Sequence, residues 1–98
     1  MPGKENYTLR TRTGHPVVIS LPVNRTTGFS WEIELCSPQL KCRELPYRQH
    51  AGGLGAGGVQ RFEIGSAQTG EFVIRFKLKR PWETKVRETR SYRIVLTK

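Results

Sequence analysis

Four apolar residues at strict two-residue spacing, Phe72, Ile74, Phe76 and Leu78, alternate with Glu71, Val73, Arg75 and Lys77. A period of two puts the first set on one face of an extended strand, whereas a helix of about 3.6 residues per turn would scatter it. The same alternation recurs in Val17, Ile19 and Leu21, in Phe62 and Ile64 between Arg61 and Glu63, and in Tyr92, Ile94 and Leu96. Trp31, Ile33 and Leu35 alternate with Glu32, Glu34 and Cys36, which predicts a strand over Ser30–Cys36 with Trp31, Ile33 and Leu35 inward. Tyr7 to Arg12 reads as a first strand, and Leu40 to Arg48 as a weaker one that Pro46 marks as an edge or irregular strand. Pro22 is expected to end the second strand, and Ser37-Pro38 to break the chain. No amphipathic helix, repeat or linker interrupts this pattern. Seven short strands, each with one apolar face, predict an all-β fold: an immunoglobulin-like antiparallel β-sandwich in a single domain over residues 1–98. Trp31 suits the buried tryptophan that such sandwiches carry on their third strand. An OB-type barrel is the main rival.

A chain of 98 residues can bury one core without metals or staples. Its 17 Lys and Arg against 8 acidic residues give a net charge of +9, which favours nucleic acid, an anionic membrane or an acidic protein partner without choosing among them. No run approaches the ~18 apolar residues of a membrane span. The first residues, Met1-Pro2-Gly3-Lys4-Glu5-Asn6, lack the apolar core of a signal peptide, so a cytoplasmic chain or an exported form without its leader is expected. Cys36 and Cys42, the only cysteines, are too few for a disulfide framework or a four-ligand zinc site. A single disulfide across Ser37-Pro38 and a pair of free thiols both remain open. His15 and His50 are the only histidines, no carboxylate pair stands out in a loop, and neither cysteine has a nucleophile's context. An enzyme is therefore not expected, nor a metal or cofactor.

The remaining information lies in the loops. If each strand crosses the sandwich once, alternate connections fall at the same end, and three of them are chemically conspicuous. Asn24-Arg25-Thr26-Thr27-Gly28-Phe29 joins strands two and three, combining side chains that bond nearby backbone with a glycine free to take φ > 0. Gly52-Gly53-Leu54-Gly55-Ala56-Gly57-Gly58 joins strands four and five and is expected to be the most flexible stretch. It contains the pattern G-x-G-x-x-G, but a strand follows where a dinucleotide site needs a helix N-terminus. Glycines here admit close backbone approach and main-chain pairing with another chain. Arg80-Pro81-Trp82 lies between strands six and seven; an exposed tryptophan beside an arginine is the composition of a binding hot spot. Asn6-Tyr7-Thr8 and Asn24-Arg25-Thr26 match the glycosylation sequon, so a functional loop at Asn24 implies a compartment that does not glycosylate.

Taken together, Asn24-Arg25-Thr26-Thr27-Gly28-Phe29-Ser30-Trp31, Gly55-Ala56-Gly57-Gly58 and Arg80-Pro81-Trp82 resemble the three motifs of the chagasin-type inhibitors of papain-like cysteine peptidases. Those motifs run Asn-Pro-Thr-Thr-Gly-aromatic-x-Trp, Gly-x-Gly-Gly and Arg-Pro-Trp, in this order. One position departs: Arg25 stands where the family has proline, which removes a φ restraint from the loop. The resemblance implies an immunoglobulin-like fold whose three loops form a wedge and which inhibits without a covalent step. Asn24, Arg25, Thr26, Thr27, Gly28 and Phe29 would enter the active-site cleft, with Thr26 and Thr27 against the catalytic cysteine and histidine. Leu54, Gly55, Ala56, Gly57 and Gly58 would pair along the non-primed side, and Arg80, Pro81 and Trp82 would cover the primed side. The expected partner is a papain-like cysteine peptidase and the expected state a monomer. The competing reading is nucleic-acid binding through Arg75, Lys77 and Arg93, although the basic residues are spread among strands rather than gathered with aromatics on one face.

Overall fold

The computed structural model describes residues 3–49 and 57–98. Seven strands run in chain order: β1 (Gly3–Arg12), β2 (Val17–Val23), β3 (Ser30–Cys36), β4 (Lys41–Gln49), β5 (Gly58–Gly65), β6 (Gly70–Lys79) and β7 (Glu88–Thr97). They form two sheets, one ordered β1-β7-β6-β3 and the other β2-β5-β4. This is the expected sandwich, and the separation into two sheets sets the barrel aside. Every hydrogen-bonded pair of one odd- and one even-numbered strand is antiparallel, while β1 and β7, both odd, run parallel in the one departure from an all-antiparallel pattern. That parity follows when each strand crosses the sandwich once. The β2–β3, β4–β5 and β6–β7 connections therefore share one end.

The core is built from the predicted alternation. Ile19, Leu21 and Val23 of β2, Phe62 and Ile64 of β5, Ile74 and Phe76 of β6, and Tyr92, Ile94 and Leu96 of β7 are buried together with Trp31 and Leu40. Phe76 stands between Phe62 of the facing sheet, at 4.8 Å between ring centroids, and Tyr92, at 5.8 Å edge-on.

Two details differ from the sequence reading. Trp31 is 3% exposed and Ile33, at 40%, keeps the inward register opposite the buried Phe76, but Leu35 is 48% exposed and turned outward. The pairing register shifts between Ile33 and Leu35, so Leu35 falls opposite Arg75 and Cys36 opposite Ile74. One extra residue reverses the faces beyond it, and β3 is an edge strand that tolerates such a bulge. Pro22 does not end β2, which continues to Val23. Its carbonyl accepts the Trp31 indole N–H at 3.1 Å, away from β5, so its donorless nitrogen lies on the open edge. Pro46 behaves as expected: β4 is an edge strand whose register shifts between Leu45 and Arg48.

Candidate functional site

The β2–β3 loop folds on itself. Asn24 is extended (φ −110°, ψ 100°) and caps a single 3-10 turn, Arg25–Thr27. Its Oδ1 accepts the Thr26 backbone N–H at 3.1 Å and the Thr26 hydroxyl at 2.5 Å, and its carbonyl accepts the Thr27 hydroxyl at 2.6 Å. The Gly28 N–H closes the turn on the Arg25 carbonyl at 3.0 Å. Both threonines are exposed at the tip with their hydroxyls held as donors inside the loop. Phe29 then packs against the core and Trp31 enters it, so the loop springs from a fixed base.

The β6–β7 connection clamps that loop from one side. Arg80 Nε donates to the Thr27 carbonyl at 2.9 Å, and the guanidinium lies 4.3 Å from the Phe29 ring centroid, with the Arg87 guanidinium over the same ring at 5.2 Å. Gly28 takes φ +86°, and a methyl group there would fall 2.5 Å from the Trp82 ring. Glycine is thus required twice, for the left-handed backbone and for the indole laid over it. Trp82 nevertheless remains 72% exposed, in line with the exposed tryptophan read from the sequence.

Of the glycine loop, Gly57 borders the Val23 carbonyl and Asn24, beside the base of the first loop. Gly58 is buried, and any side chain there would collide with the Arg48 carbonyl and the Tyr47 phenol. Leu54, Gly55 and Ala56, with the expected flexibility of the stretch, lie outside the described residues. The first and third loops, with Gly57 and Gly58 beside them, are thus gathered at one end, with an open cleft of about 580 Å³ between the two loops, lined by Arg25, Phe29, Glu44 and Pro81. His15 lies in the β1–β2 turn at the other end, where the Gly14 N–H meets the Ser66 carbonyl.

Sequence reasoning missed Gln60. It is 2% exposed, and its carboxamide bridges the sheets beneath the loops: Oε1 accepts the Trp31 N–H at 2.6 Å and Nε2 donates to the Trp31 carbonyl at 3.2 Å. The signal was a polar residue in the inward register of Phe62 and Ile64. Cys36 and Cys42 are free thiols with their sulfurs 3.1 Å apart, and burial, with Cys36 as neighbour, pushes the Cys42 thiol up to about 12. Among the described residues no cluster of His, Cys, Asp or Glu could hold a metal. The basic sheet faces are laced with acids: Arg75 pairs with Glu34 at 3.5 Å, Lys79 with Glu32 at 3.9 Å and Arg93 with Glu71 at 3.3 Å.

The sequence matches the family model of the chagasin family peptidase inhibitor I42 over residues 10–96. It is 37% identical over 78 residues to Amoebiasin-1 of Entamoeba histolytica, covering 79% of this chain and 76% of that protein. Among solved structures, the fold is similar to the crystal structure of the cysteine protease inhibitor EhICP2 from Entamoeba histolytica, with a TM-score of 0.76 at 20% identity over 99% of this chain and all of that one. It is similar also to PbICP-C in complex with falcipain-2, with a TM-score of 0.77 at 16% identity over 98% of this chain and 91% of that one. At these identities the structures establish the fold.

Proposed function

Because this chain belongs to the chagasin family of peptidase inhibitors, we propose that it is a reversible, tight-binding inhibitor of papain-like cysteine peptidases that occludes the active-site cleft with three loops. The observation that carries this reading is the interlocking of the first and third loops: Arg80 holds the Thr27 carbonyl and Trp82 lies over Gly28, with Gly57 bordering Asn24. A wedge assembled before binding loses little conformational entropy on entering a cleft. The relatives support the target class, since EhICP2 is a cysteine protease inhibitor and PbICP-C is found bound to falcipain-2.

Thr26 and Thr27 at the tip would fill the narrow centre of the cleft beside the catalytic cysteine and histidine. Cleavage needs a peptide laid open to attack. Here the Asn24 and Arg25 carbonyls are turned back into the loop, accepting the Thr27 and Gly28 N–H groups at 3.1 and 3.0 Å. The loop occupies the site without offering an extended bond. Leu54, Gly55, Ala56, Gly57 and Gly58 would pair on the non-primed side, and Trp82, with large area and few rotors, would cover the primed side. The net charge of +9 would steer the protein to an acidic peptidase, faster at low salt. Cross-strand ion pairing of Arg75 and Arg93 suits a solvated sheet face better than a phosphate track.

Titration of papain activity with the purified protein, using a small fluorogenic substrate, tests the reading. Stoichiometric or nanomolar reversible inhibition is expected. No inhibition of papain or a cathepsin-like panel at micromolar protein would refute it, and salt-dependent nucleic-acid binding would be the next assay.

A further inference from the structure

Arg25 belongs to the tip loop by sequence, yet its side chain runs sideways to β4. The guanidinium lies 4.2 Å from the centroid of the Tyr47 ring, and Nη2 is 3.6 Å from Glu44 Oε2. That same carboxylate oxygen accepts Gln60 Nε2 at 3.3 Å. Gln60 in turn holds both backbone groups of Trp31, where the first loop re-enters the core. Tyr47 fills the space beside Gly58, at the exit of the glycine loop. A continuous line of contacts therefore runs from the first loop through β4 and β5 to the start of β3. Arg80 grips the loop toward the four-stranded sheet, and Arg25 ties it to the three-stranded one.

We propose that Arg25 is a positioning residue whose brace on Tyr47 and Glu44 fixes the first loop relative to β4 and the start of β5, and so sets the direction in which its tip is presented to a peptidase cleft. This rests on the inhibitor reading. An exposed ion pair alone contributes little, but a guanidinium stacked on a phenol while paired to a carboxylate is held in one direction. The backbone isolates the side chain's part: Asn24 is extended and Arg25 is the first residue of the turn, a slot whose backbone suits proline. R25P therefore keeps the local backbone and removes the brace.

The experiment measures association and dissociation rates on immobilised papain for the wild-type chain, R25A, R25P, Y47L and R25A/Y47L, with urea unfolding to verify that each variant folds. R25A is expected to dissociate about tenfold faster with its association rate little changed. R25P should recover part of that loss, and the double variant should be no worse than the poorer single one, because both substitutions cut the same contact. Dissociation of R25A at the wild-type rate would overturn the brace. Additive losses would overturn it too, by making Arg25 a direct contact with the enzyme. Failure of the wild-type chain to bind any papain-like peptidase would overturn the inhibitor reading instead, a result distinct from either.

Discussion

Replacing Trp82 by alanine separates binding from folding more cleanly than any other substitution in the wedge. An indole offers ~150–250 Å² to a partner, and Trp82 is 72% exposed in the free protein. Roughly 110–180 Å² is then left to be covered by an enzyme, which at about 25 cal/mol per Å² sets a ceiling of about 3–4.5 kcal/mol. Incomplete coverage lowers this toward the hot-spot scale of ~2 kcal/mol or more, a loss in affinity of about thirtyfold or greater. Folding should hardly notice: the ring lies over Gly28 and takes no part in the buried cluster. Trp82→Ala should therefore raise the inhibition constant against papain at least about thirtyfold while the urea midpoint moves little. An unchanged inhibition constant would remove Trp82 from the contact. A collapse of stability would refute the claim that its ring waits exposed for a partner.

Thr26→Arg puts a bulky charge on an exposed position at the tip and should block entry to the cleft, leaving an inhibition constant far above wild type; equal inhibition would mean another loop enters. Gly28→Ala forces a side chain into φ +86° and into the Trp82 ring, so urea unfolding should show a loss of about 1–2 kcal/mol together with weaker inhibition. Gln60→Leu orphans the Trp31 N–H and carbonyl in the core and should destabilise by about 2 kcal/mol or more in the same assay. For Cys42 the sign is set by a folded value raised from 9.0 to about 12. The folded state holds the thiol proton more tightly, so this contribution to stability is complete below the ordinary thiol range and is lost as pH rises toward 12. Alkylation of Cys42 in the folded protein should accordingly be slow at neutral pH and accelerate only in strong alkali, whereas rapid labelling at neutral pH would contradict its burial as a thiol.

Strand positions were legible wherever alternation alone decides the inward face, as in Ile74 and Phe76 or Ile94 and Leu96. The common end of the three loops was legible too, because it needs only that each strand cross once, and the parallel pairing of β1 with β7 obeys the same parity. What escaped depends on pairing. The register shift that turns Leu35 outward shows only in how β3 pairs with β6, and Pro22 stays within β2 because that strand is an edge. Gln60 could be noticed as a polar break in an apolar face, but its hold on Trp31, 29 positions away, needs the packed sandwich. Arg25 reads in sequence only as a lost φ restraint. Its contact with Tyr47 exists because β4 passes beside the loop.

The central claim is that the Asn24–Phe29 loop occupies the active-site cleft. It is tested most directly by measuring how fast an active-site alkylating reagent modifies the catalytic cysteine of papain as this protein is added. The account predicts that modification is suppressed in proportion to added protein and stops near equivalence, with full reactivity recovered on dissociation. Undiminished alkylation at saturating protein would contradict it, because the cleft would then be open in the complex.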